Sequence, residues 1–212
     1  MVLRALAILG VAVSLSGLST AFALIGPSDA MAQQPIPPVP FMPFGDGQDS
    51  VVMADLTYHI GTTSFSIVVP AGFVTDFAST PRAIWAVLPP FGTYQLAAVV
   101  HDFLYWDQGC TREQADALLR VAMQESDVKP AKRDVIWEAV RRFGGTAWAN
   151  NATAKAAGQP RIIPKEDLNL PPLVTWPDYR AQLFAKGVRP QRTPASPPDY
   201  CGAASSVQLR MP

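Results

Sequence analysis

Charge of one sign is missing from this chain: 17 Lys and Arg stand against 17 Asp and Glu, a formal net charge of zero. A neutral protein has no electrostatic grip on nucleic acid or on an anionic membrane, so nucleic acid is not an expected partner. Cysteine is scarce, with only Cys110 and Cys201, and histidine equally so, with only His59 and His101. No cysteine stands near residue 32, which excludes the usual lipoprotein attachment residue. Beyond that point no second apolar run is long enough to cross a bilayer, and no internal repeat is visible.

What is present at the N-terminus reads as an export signal. Arg4 precedes an apolar run from Ala5 to Ile25, and the small-residue site Ala30-Met31-Ala32 follows. That order predicts a signal peptide over residues 1–32, cleaved after Ala32. An uncleaved anchor is the alternative, but Gly10, Ser14, Ser16, Gly17 and Ser19 dilute the run. Export predicts a periplasmic or secreted protein in a compartment that permits disulfides. A Cys110–Cys201 bridge would close a long loop and add about 4–5 kcal/mol in the chain-entropy picture. Two free thiols are the other outcome.

Proline marks the ends of the folded unit. Residues 33–50 hold Pro35, Pro37, Pro38, Pro40 and Pro43 and read as a linker or surface arm. Residues 151–212 read as a proline-rich extension: ten of the 21 prolines fall from residue 160 onward. One short helix is expected there, Asp178 to Lys186, with Tyr179, Leu183 and Phe184 docking.

Between them, residues 51–150 carry the pattern of an α+β domain: a β-hairpin followed by a small helical bundle. Val52, Ala54, Leu56, Tyr58 and Ile60 alternate with polar residues as a half-buried strand, and Phe65 to Val69 supplies its partner. Val69-Pro70-Ala71-Gly72 fits a type I turn. Thr80-Pro81 starts a helix that Pro89-Pro90 ends, and Thr93 caps the next. Thr111 and Gln114 form a capping box, with Ala115, Leu118, Leu119 and Ala122 as the apolar face behind it. A further helix opens at Pro130 with the stripe Ile136, Val140 and Phe143, and Gly144-Gly145 interrupts it.

The chemistry centres on His101-Asp102-Phe103-Leu104-Tyr105. Ala98, His101, Asp102 and Tyr105 recur at helical spacing and share one face. Leu96, Val99, Val100, Phe103 and Leu104 form the apolar stripe opposite. A histidine flanked by carboxylates is poised as a general base near neutral pH. Asp76 or Asp116 can fix its tautomer, because the helix carrying Asp116 is an expected antiparallel neighbour. Ser79 is an alternative nucleophile, and Arg82 can pair with Asp76 or Asp102. The bland reading is a satisfied structural histidine with an ion pair beside it.

Gly72-Phe73-Val74-Thr75-Asp76-Phe77-Ala78-Ser79-Thr80-Pro81-Arg82, then His101 to Tyr105, then Ala115-Asp116, resemble domain of unknown function 1353 (DUF1353), a family of bacteria and tailed phages. The resemblance covers about residues 51–150 and implies a domain identity without an activity. More weakly, the His-Asp-x-x-Tyr helix is similar to secreted phospholipase A2. That similarity implies His101 as the base that activates water, Asp116 orienting it, Tyr105 bonding the carboxylates, and Asp102 as a ligand of calcium or another divalent cation, with Asp76 completing the set. Leu104 stands where that family has a cysteine, and no glycine-rich calcium loop precedes the motif.

The expectation is an exported hydrolase acting on an envelope ester or amide, with His101 as base and metal assistance as an option. A cell-envelope component or lipid is then the expected partner. The alternative is a phage-derived envelope binding or assembly module whose His/Asp/Arg cluster is purely structural.

Overall fold

The computed structural model describes residues 36–61, 63–77 and 94–203. The expected export signal, Ser79, the expected helix start at Thr80-Pro81, Arg82, Pro89-Pro90 and Thr93 lie outside the described residues. Five strands come first: β1 (Phe41–Pro43), β2 (Ser50–Val52), β3 (Leu56–His59), β4 (Ser66–Val69) and β5 (Val74–Thr75). Four helices follow: α1 (Gln95–Asp107), α2 (Arg112–Glu125), α3 (Pro130–Ala156) and α4 (Trp176–Ala185). The order is the expected α+β one.

β3 and β4 form the expected antiparallel hairpin, with Leu56 opposite Val69 and Tyr58 opposite Ile67. These four side chains are buried, while His59 and Val68 point outward. Tyr58 reaches from the hairpin to the end of α2, donating to Glu125 Oε2 at 2.7 Å. The long strand expected from Val52 to Ile60 is broken at Met53–Asp55. The break lets β2 and β3 join different sheets: β2 sits between β1 and β5 in an antiparallel three-stranded sheet.

Residues 33–50 are therefore not a free linker. β1 pairs with β2 through Met42 and Val51. Ile36 and Phe44 are buried, which anchors the arm at both ends of its described part. The C-terminal extension is equally integrated. Val74 N–H donates to Arg161 O, and Ile163 N–H to Gly72 O, so residues 161–163 run beside β5. A second small core joins Phe44, Val51 and Val74 to Ile163, Trp176, Tyr179 and Leu183. α4 starts two residues earlier than expected because Thr175 caps it, accepting from Asp178 N–H. Tyr179 and Leu183 dock, whereas Phe184 is only half-buried.

The expected turn at Val69–Gly72 is shifted by one residue. Phe73 N–H closes it onto Pro70 O at 3.1 Å. Gly72 then occupies the third position with φ +89°, the left-handed value a type II turn requires there. A Cβ on Gly72 would lie 2.0 Å from Ile163 O, so the crossing of the tail also demands glycine.

α1 is the centre of the molecule. Every residue from Ala97 to Trp106 is buried, because α2 and α3 pack on one side and β4 and β5 on the other. A helix covered all round needs no solvent face. α2 carries the expected capping box in full, with Thr111 and Gln114 each bonding the other's backbone. α3 runs uninterrupted through Gly144-Gly145. Gly144 is a close approach, not a break: a Cβ there would lie 2.4 Å from the Tyr105 hydroxyl. Ile136 and Val140 face the core, but Phe143 is exposed, because α2 and α1 cover only one side of α3.

Cys110 and Cys201 form the expected disulfide, with Cα atoms 5.5 Å apart. It ties the tail to the α1–α2 connection. Replacing Cys201 with Ser should lower stability by up to about 4 kcal/mol, given the length of loop released. Denaturation with and without reductant checks this, and equal midpoints would refute it. Gly72→Ala should cost about 2–4 kcal/mol from the left-handed backbone and the overlap with Ile163.

Candidate functional site

Two neighbouring residues on α1 enter two separate polar clusters. His101 and Asp102 were expected on one face, yet successive helical residues diverge by about 100°. His101 turns towards α2. Asp102 turns towards β5.

The first cluster is built around the Asp116 carboxylate of α2. His101 Nε2 lies 2.9 Å from Asp116 Oδ1, and the Tyr105 hydroxyl donates to the same oxygen at 2.6 Å. Arg112, one turn earlier on α2, donates from Nη1 to Asp116 Oδ2 at 3.1 Å and to Arg141 O at 3.2 Å. A carboxylate only accepts, so the His101 proton sits on Nε2 and Nδ1 is the acceptor nitrogen. The His101 and Tyr105 rings stack at 4.1 Å, and Trp148 of α3 meets Tyr105 edge-on at 5.2 Å. His101 and Asp116 are each only 2% exposed.

Burial lowers the His101 pKa below its ordinary value, and the Arg112 charge works in the same direction. The Asp116 hydrogen bond and charge oppose this without reversing it. The imidazole is therefore neutral at pH 7. Burial and the Asp116 bond push the Tyr105 phenol far up, so it stays protonated as a donor. The roles expected of Asp116 and Tyr105 as partners of His101 are matched in geometry. The access that a base needs to a substrate is not.

The second cluster lies around Asp102. Thr75 of β5 donates from Oγ1 to Asp102 Oδ2 at 2.5 Å. Asp76 shares a hydrogen bond with Asp102. Arg161, from the C-terminal extension, stands 4.0 Å from Asp76 Oδ1 and donates to Val74 O and Asn151 Oδ1. Asn151 in turn donates to Tyr105 O, which links the two clusters through α3. Phe77 holds the chain after Asp76 in a left-handed turn, φ 53°, and its N–H bonds back to Thr75 Oγ1.

Asp102 is 8% exposed, whereas the side chain of Asp76 is 41% exposed. Burial, then the neighbouring Asp76 charge, raise the Asp102 pKa well above the ordinary carboxylate range. Arg161 and the Thr75 bond only moderate the rise. Of the two carboxyl groups, Asp102 is the buried one whose proton affinity is raised, and Asp76 is the one open to the surface.

A divalent cation fits this pair poorly. Among the described residues, no group of three or more His, Cys, Asp and Glu is placed to hold a metal ion. Calcium takes six to eight oxygens, and a protonated Asp102 is a weak ligand.

Sequence reasoning missed Arg112, Arg161 and Asn151 as members of these clusters, whereas Thr75 stood in the segment expected beside His101. Arg112 was detectable, since it precedes Asp116 by one helical turn. Arg161 and Asn151 carry no local signal; only the folding back of the tail brings Arg161 to Asp76. Ser79 and Arg82 lie outside the described residues.

No curated protein and no solved structure matches this chain. The similarity to secreted phospholipase A2 is not shown by the comparisons. Residues 50–140, which carry Thr75, Asp76, His101, Asp102, Tyr105, Arg112 and Asp116, match the family model described as protein of unknown function (DUF1353).

Proposed function

We propose that this domain is a hydrolase of an envelope ester or amide, and that Asp76 and Asp102, not His101, are its acid–base groups. The observation that carries the reading is the carboxyl pair itself, with Asp102 buried against Thr75 and Asp76 open to the surface. Asp76 takes a proton from water as the water oxygen attacks the carbonyl carbon. The proton shared with Asp102 then passes to the leaving oxygen or nitrogen. The pair ends with one proton, as it began. Like-charged carboxyls held together supply an acid and a base at one pH in this way. The Cys110–Cys201 disulfide supports export to an oxidising compartment. His101, enclosed with Asp116, Tyr105 and Arg112, positions α1 and touches no substrate.

A second reading has its own support. The closed, fully donated Asp116 carboxylate is what a purely structural cluster looks like, and a binding or assembly module at the envelope needs nothing more.

Turnover separates the two. The parent is assayed on a fluorogenic acyl ester, an N-acyl peptide and peptidoglycan fragments. Asp76→Asn should lower turnover by about 10²–10⁴-fold while the fold is retained. A parent inactive on all three supports the binding module and sinks the hydrolase.

Stability against pH tests the electrostatics without any substrate. Asp102 has a raised pKa in the fold, so its charge costs stability only as pH climbs above the ordinary carboxylate range. Asp102→Asn should therefore melt higher than the parent at pH 7, with the advantage vanishing below about pH 4. An Asn variant less stable at pH 7 would contradict a protonated Asp102.

His101 has the opposite sign. Its pKa is depressed in the fold, so its contribution is present at pH 7 and is lost as pH falls below about 6.5. His101→Ala should cost about 3 kcal/mol at pH 7, because it opens a cavity and removes one donor from Asp116. A melting temperature unchanged by this substitution would overturn the structural role of His101.

A further inference from the structure

One surface of α3 carries two large exposed apolar side chains. Val135 is 50% exposed and Phe143 61% exposed on the same helix. They lie eight residues apart, about 12 Å along the axis. Between them sits Ala139, whose small side chain leaves a hollow of about 410 Å³ bounded by Asp134, Val135, Glu138, Arg142 and Phe143.

The charges beside this hollow are ordered along the helix. Asp134 and Glu138 lie towards the N-terminal end, and Arg141 and Arg142 towards the C-terminal end. Within one chain Glu138 pairs with Arg142 at 3.2 Å, and Asp134 with Arg120 of α2 at 3.1 Å. All four side chains on α3 are exposed enough to take a second partner. An acidic-then-basic order maps onto its own complement when a second helix runs antiparallel. Under a two-fold axis at Ala139, Val135 of one copy faces Phe143 of the other. Asp134 and Glu138 then face the arginines, and like charges stay apart.

We propose that this face is a self-association surface, and that two copies of this chain pair antiparallel along α3 with Phe143 of each entering the hollow of the other. The contact is isologous, so it closes at a dimer and does not extend. A rim carrying acids at one end and bases at the other disfavours a lipid surface, which would meet Asp134 and Glu138 beside the apolar side chains. Self-complementarity is a property of this sequence order, and a foreign partner does not require it.

The test is sedimentation equilibrium on the full chain as recovered from an exporting host, over a wide range of concentration. The parent should show a concentration-dependent monomer–dimer equilibrium. Phe143→Asp should weaken association by at least tenfold, with circular dichroism and melting temperature unchanged, since the residue is exposed. Arg142→Glu alone should also weaken it. Arg142→Glu combined with Glu138→Arg reverses the order on both copies and should restore it. A parent that stays monomeric, or a dimer indifferent to Phe143→Asp, would overturn the proposal. Loss on Arg142→Glu without recovery in the double variant would overturn the antiparallel arrangement.

Discussion

The constraint on which the rest depends is the burial of α1 on every side. Ten consecutive residues from Ala97 to Trp106 are shielded from water, and three of them, His101, Asp102 and Tyr105, are titratable. Burying an ionisable group is costly unless its charge is removed or answered. The chain disfavours the charge of both members of one dipeptide. His101 is held towards its neutral form and donates its Nε2–H to a carboxylate on the next helix. Asp102 takes up a proton and is braced by a threonine and a second aspartate. Each remedy needs a partner from a different element, so α1 fixes where α2 and β5 must lie.

Asp116 shows how the demand spreads. A buried carboxylate with three donors around it is far better satisfied than one held by a single ion pair. Supplying those donors requires Tyr105 to lie against α3, and Tyr105 fits only because Gly144 has no side chain. A glycine in the middle of a 27-residue helix lowers helix propensity by about 1 kcal/mol relative to alanine. The close approach of the phenol is what α3 gains in return.

Much of this was legible in the chain itself. The hairpin followed from strict alternation, α2 from a capping box, and the His101–Asp116 partnership from a short connection between two helices. The disulfide followed from an even cysteine count and the expectation of export. The failures share one cause: local pattern cannot report what is packed on the far side. α1 read as amphipathic because His101, Asp102 and Tyr105 are polar, whereas their polarity is consumed inside the fold. Residues 33–50 read as a linker or a surface arm because proline is poor strand material, and the pairing of β1 with β2 lay outside either reading. Pro43 is tolerated at the end of the edge strand β1, where few ladder bonds are asked of it. Arg161 was invisible because its role depends on a tail that returns across the sheet by 85 or more residues.

That tail changes how the carboxyl pair should be understood. Arg161 and Asn151 both lie beyond residues 50–140, the segment that matches the family. Yet Arg161 is the cation facing Asp76 and Asp102, and it opposes the rise in proton affinity that burial imposes on Asp102. Burial raises the proton affinity of Asp102, and the Asp76 charge adds to the rise. A positive charge close by moves the pair towards the range where a proton can be both held and released. The Cys110–Cys201 bridge and the second core around Trp176 hold the same tail against the domain, and so hold Arg161 in place. The extension is thus part of the electrostatics of the site, although its own sequence announces only proline.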